Sequence, residues 1–171
     1  MRQRGFTMIE VLVSALILVV GVLGVAALQV TALKNLQSSG NYGVASLVAN
    51  EMVDRIWVNG EEALTNDAYL HTQPPANTPR NCEDETCTAA QLADYDIWDW
   101  QRQLTGYTVS DVEIPAILPS AQGRVVAGDN AGEFDVIVRW DDNLDGSTGT
   151  NCPPQTDADL DCYSVTITIT P

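Results

Sequence analysis

Apolar residues fill positions 11–28, an eighteen-residue run without a charge in which Ser14 is the only hydroxyl. As a helix, such a run is about 27 Å long at roughly 1.5 Å per residue, close to the roughly 30 Å hydrocarbon core of a bilayer. Beyond it the pattern turns amphipathic. Leu33, Leu36, Ala45, Leu47, Val48, Met52 and Ile56 recur at helical spacing, with Lys34, Asn50, Glu51, Asp54 and Arg55 between them. Glu51 and Arg55 form an i,i+4 pair in the favourable order. Asn59-Gly60 is a C-cap signal that stops the helix near Val58. Gly40 and Gly43 weaken its middle, at about 1 kcal/mol per glycine. Gly21 and Gly24 are ordinary for a membrane helix.

Residues 59–87 read as a polar excursion. Pro74, Pro75 and Pro79 mark a loop, and His71 beside it is expected in solvent. Thr88 and Gln91 have capping-box spacing and open a short helix to about Leu104, with Leu92, Tyr95, Trp98 and Leu104 facing inward. Trp98 and Trp100 are expected to pack this helix on a sheet rather than to form a carbohydrate platform. Strands are expected over residues 107–114 and 123–127. Phe134, Val136, Val138 and Trp140 alternate with Asp135, Ile137 and Arg139, and Tyr163, Val165, Ile167 and Ile169 alternate with Ser164, Thr166, Thr168 and Thr170. These last two runs are half-buried strands and an antiparallel pair. A sheet with one apolar face needs a cover, and the second half of the long helix supplies it. The fold class is α+β: a long N-terminal helix, transmembrane half plus amphipathic half, packed on a small antiparallel β-sheet.

Charge sharpens the division. The chain of 171 residues carries 8 Lys and Arg against 23 Asp and Glu, a formal net charge of −15. Such a chain repels phosphate backbones, which disfavours nucleic acid as a partner. From Asn59 onward 20 acidic residues face 4 basic ones. Arg2 and Arg4 precede the apolar run, so the positive-inside rule puts the N-terminus in the cytoplasm and the acidic part across the membrane. A cleaved signal peptide is the competing reading, but its apolar core would be about 7–15 residues, shorter than this run. Glu10 sits at the edge of the run with no Lys or Arg at helical spacing to pair with it. A carboxylate there costs on the order of a few kcal/mol without a partner, which makes it a functional candidate. His71, the sole histidine, excludes His-rich metal sites and two-imidazole mechanisms.

The opening Met1-Arg2-Gln3-Arg4-Gly5-Phe6-Thr7-Met8-Ile9-Glu10 resembles the class III leader of type IV pilins and pseudopilins. The resemblance implies that prepilin peptidase cuts between Gly5 and Phe6 and methylates the new Phe6 amine. It also implies that Glu10 pairs with the Phe6 amine of a neighbouring subunit during assembly. Two charges that neutralise one another only in the filament make a register device. Residues 45–59, 93–104, 118–125 and 136–141 are similar, in this order, to the type IV pilus modification protein V family of minor pilins. That likeness implies a type IV pilin-like fold and a low-abundance subunit with roles in assembly initiation, adhesion or motility, without catalysis. The implied partners are other pilins and minor pilins, prepilin peptidase, the inner-membrane assembly machinery and the membrane. The implied location is the inner membrane before assembly and the surface pilus after it. The chain then divides into a leader at 1–5, a transmembrane or filament-core helix at 6–33, an amphipathic helix at 34–58 and an acidic head at 59–171.

Cys82, Cys87, Cys152 and Cys162 all follow the apolar run, in what should be an oxidising compartment. Three connectivities exist, and the two local pairs are favoured over the long-range ones. A four-thiolate zinc site is disfavoured because the spacing lacks tight zinc knuckles. Asp141, Asn143 and Asp145, followed by Gly146, match the opening of an oxygen-ligand calcium loop. Asp157, Asp159 and Asp161 are candidates for its other side. The glutamate usual at the twelfth position is replaced by Cys152, and a solvated acidic loop is the alternative. No cofactor is required. Two other functions compete: a minor pseudopilin of a type II secretion system, and a membrane-anchored periplasmic enzyme working through paired carboxylates. Nothing in the spacing fixes two carboxylates about 5–10 Å apart, and no Ser-His or Cys-His arrangement is present.

Overall fold

A computed structural model describes residues 5, 7–73, 75, 77–144, 146, 152 and 161–170. The chain forms two compact units, residues 1–39 and 40–171. Helix α1 runs from Met8 to Val58 and contributes to both. In the first unit it is the only described element, and its apolar side chains lie open to the surroundings.

The second unit holds the rest. α1 stops at Val58, but the chain turns only at Asn59 before helix α2 (Gly60–Asn66) begins, where the sequence suggested an irregular polar excursion. Helix α3 (Ala89–Thr105) opens with the expected capping box. The Thr88 hydroxyl accepts from the Gln91 amide at 3.3 Å and the Gln91 side chain accepts from the Thr88 amide at 3.0 Å. Strands β1 (Tyr107–Val109) and β2 (Val112–Ile114) form a two-stranded hairpin. Strands β3 (Gln122–Ala127), β4 (Glu133–Arg139) and β5 (Cys162–Thr168) form an antiparallel sheet in the order β3-β4-β5. The register pairs Val125 with Val136 and Val136 with Val165, which aligns one apolar face.

That face shares a core with the two long helices. Ala45, Val48, Ala49, Met52, Val53 and Ile56 of α1 meet Ala93, Ile97, Trp100 and Leu104 of α3 and Phe134, Val136, Val138 and Trp140. Their i, i+3, i+4 spacing is what turns one side of each helix inward. Trp100 Nε1 donates to the Val48 carbonyl at 2.8 Å. Gly123 lets β3 approach, because a Cβ there would overlap the Trp100 ring. Tyr42 meets Trp140 and Tyr163 edge-on at centroid distances of 6.3 and 5.4 Å.

Several expectations are corrected. Leu47, assigned to the inward face, is 73% exposed, because it lies one position off the buried stripe. Leu33 and Leu36 are exposed too. The single strand expected at 107–114 is a hairpin, since Ser110 and Asp111 take left-handed φ values of 47° and 66°. Trp98 is half-buried rather than fully inward, tilted against Tyr95. His71 is not a solvent-facing loop residue. It is half-buried and bridges β3, its amide donating to Val125 O and its carbonyl accepting from Val125 N, both at 2.9 Å.

Candidate assembly surface

In the first unit, α1 starts beside Thr7, whose carbonyl accepts from the Glu10 amide at 3.1 Å. Glu10 therefore sits in the first turn, where unpaired amides favour a carboxylate. Ser14 Oγ donates to the Glu10 carbonyl at 2.7 Å, so this hydroxyl is satisfied within the helix and needs no water. Ile9, Val11, Leu12, Leu16, Ile17, Leu18, Val20 and Leu23 are each at least 58% exposed. This helix is long and apolar enough to cross a membrane, and none of its most apolar stretch is buried. A surface of this kind is stable only against lipid tails or other apolar helices. Gly5 is exposed; Phe6 lies outside the described residues.

In the second unit, α1 and α3 share a charged seam that sequence reading missed apart from the Glu51–Arg55 pair. Arg55 Nη2 donates to Glu51 and, at 2.8 Å, to Asp99 Oδ2, while Nη1 donates to the Asp96 carbonyl at 3.1 Å. Tyr69 donates its hydroxyl to Asp96 Oδ2 at 2.6 Å. Burial pushes the Asp96 carboxyl above its ordinary value, against the opposing pull of Tyr69 and Arg55. Burial also works on Asp99, but hydrogen bonds from Arg55 and Gln103 and the nearby Arg102 charge outweigh it and hold that carboxyl below the usual range. Arg102 lies between the Trp98 and Tyr107 rings, 4.3 and 4.1 Å from their centroids, while pairing with Asp99 at 3.1 Å. The signal was present in the sequence: Asp96 and Asp99 fall on the same stripe of α3 as Ala93, Ile97 and Trp100.

His71 is tied on both ring nitrogens. The Tyr69 carbonyl can only accept, so Nδ1–H donates to it at 2.9 Å. Nε2 then accepts from Gln101 Nε2 at 3.0 Å, and the same amide group donates to Gly123 O. Burial lowers the His71 pKa from its ordinary 6.5, against a smaller opposing effect of the Tyr69 bond.

Cys82 bonds Cys87, and Cys152 bonds Cys162. The second bridge packs with Ile137 and Val126 on the face of the sheet away from α1. Of the acidic-loop residues, Asp141 is buried and its Oδ2 accepts from the Gly146 amide at 2.8 Å. Asn143 is exposed, and the Asp161 carbonyl accepts from the Trp140 amide at 3.0 Å. Asp145, Asp157 and Asp159 lie outside the described residues. Among the described residues no three His, Cys, Asp or Glu side chains converge as a metal site.

Comparison with known proteins agrees with this anatomy. The prokaryotic N-terminal methylation motif matches residues 1–26. The Tt1218-like family, described as type IV pilin Tt1218, matches residues 27–98. No curated protein and no solved structure matches significantly. The two matches adjoin, running from Met1 through α1 and α2 into α3 and ending before the strands. Over residues 1–98 the chain is type IV pilin-like.

Proposed function

We propose that this chain is a minor subunit of a type IV pilus that takes part in assembly initiation and in pilus-linked adhesion or motility, without catalysis. The observation that carries the reading is the methylation motif at residues 1–26, on a helix whose apolar side chains are exposed from Met8 to Leu36. Prepilin peptidase removes residues 1–5 and methylates Phe6. The subunit waits in the inner membrane with its N-terminus inside and its acidic head outside. The assembly machinery then draws it into a filament beside other pilins, where Glu10 meets a neighbour's Phe6 amine. The minor role within the family rests on the likeness of the head segments to the type IV pilus modification protein V family. The reading needs no cofactor; calcium binding by the Asp141 loop is a separate proposal, tested by a calcium-dependent rise in melting temperature.

Glu10→Gln tests the assembly step. Membrane insertion should persist, since a neutral side chain is cheaper to bury. Leader removal should persist, since the Gly5–Phe6 bond is untouched. Incorporation should fail, because breaking a buried pair from one side costs about 3–5 kcal/mol. Immunodetection in sheared pili against membranes reads the outcome, and normal incorporation would refute the pairing. Deleting the gene and counting surface pili separates a pilus role from a secretion role: unchanged pili refute the former.

A further inference from the structure

The head contains 20 acidic residues and four arginines, and three of those arginines are engaged. Arg80 pairs with Glu85 at 2.7 Å, Arg102 pairs with Asp99, and Arg139 donates to Gln122 Oε1 at 3.0 Å. Arg124 is the exception. Among the described residues it makes no ion pair and no side-chain hydrogen bond, and its Nε is buried without a partner. In so acidic a head, an arginine without a carboxylate is the reverse of what charge balance provides.

Arg124 lines a cavity of about 560 Å³, within the roughly 300–1,000 Å³ range of small-ligand sites. Arg139 reaches the same cavity from the adjacent strand. β3 and β4 pair Gln122 with Arg139 and Arg124 with Ile137, so both arginines project from one face of the sheet, two residues apart in register. Thr72, Gln73 and Ser120 line the cavity too, and none of their side chains has a hydrogen-bond partner among the described residues. Ala116 and the buried Ala121 add small apolar surface to the lining. The His71–Val125 bridge holds Thr72 and Gln73 beside the edge of β3. Ser120 adopts a left-handed φ of 49°, an uncommon state for serine.

We infer that this cavity binds a single acidic sugar unit, its carboxylate on the Arg124 fork beside Arg139 and its hydroxyls on Thr72, Gln73 and Ser120. A guanidinium fork matches a planar carboxylate with two parallel hydrogen bonds. A lining that combines hydroxyl and amide groups with small apolar residues suits a ring that carries several hydroxyls and some apolar surface. The acidity of the surrounding head repels polyanions and so limits the ligand to one charge. The site is on the head and does not depend on the pilus reading, so each can fail alone.

The test is calorimetric titration of the full-length protein in non-ionic detergent with glucuronate, its methyl glycoside, glucose and acetate. Glucuronate should bind saturably, with glucose and acetate each at least tenfold weaker. Methyl glucuronoside binding as tightly as glucuronate identifies a chain-end residue as the natural source; weaker binding identifies the free acid. Either supports the site. Arg124→Gln should weaken glucuronate at least tenfold, Arg124→Lys should fall between it and the native protein, and Ser120→Ala should weaken binding about threefold. Melting curves identify any variant that fails to fold, and Arg124→Lys then carries the comparison. Absence of saturable glucuronate binding, equal affinity in a folded Arg124 variant, or acetate binding as tightly as glucuronate would overturn the inference.

Discussion

Trp100 Nε1 donates to the Val48 carbonyl at 2.8 Å in the fully buried core, fastening α3 to α1. The same ring packs against Gly123 of β3, so one indole joins two helices and the sheet. Trp100→Phe should cost about 1–2 kcal/mol through the lost hydrogen bond and lost contact. Gly123→Ala should cost about 1–3 kcal/mol, because its new Cβ meets a fixed ring rather than a flexible tip. Urea unfolding of the full-length protein in detergent micelles measures both. An Ala variant as stable as the native protein would refute the close approach.

Arg55 is the counter-charge for two carboxylates on α3. Arg55→Met should destabilise by about 3 kcal/mol, since it leaves the buried Asp96 without a cation and the buried Asp99 with Arg102 alone. Asp96→Asn should cost about 1 kcal/mol or less, because burial already disfavours that carboxylate and an amide oxygen still accepts from Tyr69. The order of these two losses is the readout. A larger loss for Asp96→Asn would contradict the seam as described.

His71 gives a pH dependence of defined sign. Its folded pKa lies below the ordinary 6.5, so the folded state binds its proton more weakly than the unfolded chain. The stabilisation it contributes is complete above about pH 6.5 and is lost as pH falls towards the folded value. Unfolding free energy measured between pH 7.5 and 5 should therefore decline more steeply in the native protein than in His71→Gln. Parallel slopes would show that the imidazole is not held neutral by the fold.

The Cys152–Cys162 bridge spans a sequence separation of 10 and is buried against Ile137. Replacing both cysteines by serine should lower stability by about 2–3 kcal/mol, the scale of a loop of that size. The Cys82–Cys87 bridge, which closes a shorter loop, should matter less. Paired melting curves under oxidising and reducing conditions report both.

The elements that sequence reveals best here are those with a period. β4 and β5 follow from strict alternation, α1 stops at the Asn59-Gly60 signal, and α3 starts at its capping box. What escapes is set by contacts far apart in the chain. His71 looks like a loop residue until Val125 pairs with it. The β1–β2 turn carries Ser110-Asp111 rather than the glycine that usually announces left-handed backbone. α2 hides behind Gly60, which reads as a stop although the helix restarts there. On the N-terminal side, Glu10 stands out because no local partner exists for it. The Arg55 seam does not, because its acids come from a helix more than forty residues away.

The most direct test of the central claim is the intact mass of this protein recovered from sheared filaments. The expected mass corresponds to residues 6–171 with one added methyl group and two disulfides, its amino terminus at Phe6. A chain beginning at Met1, or one cut near Ala26-Ala27, would contradict the pilin reading.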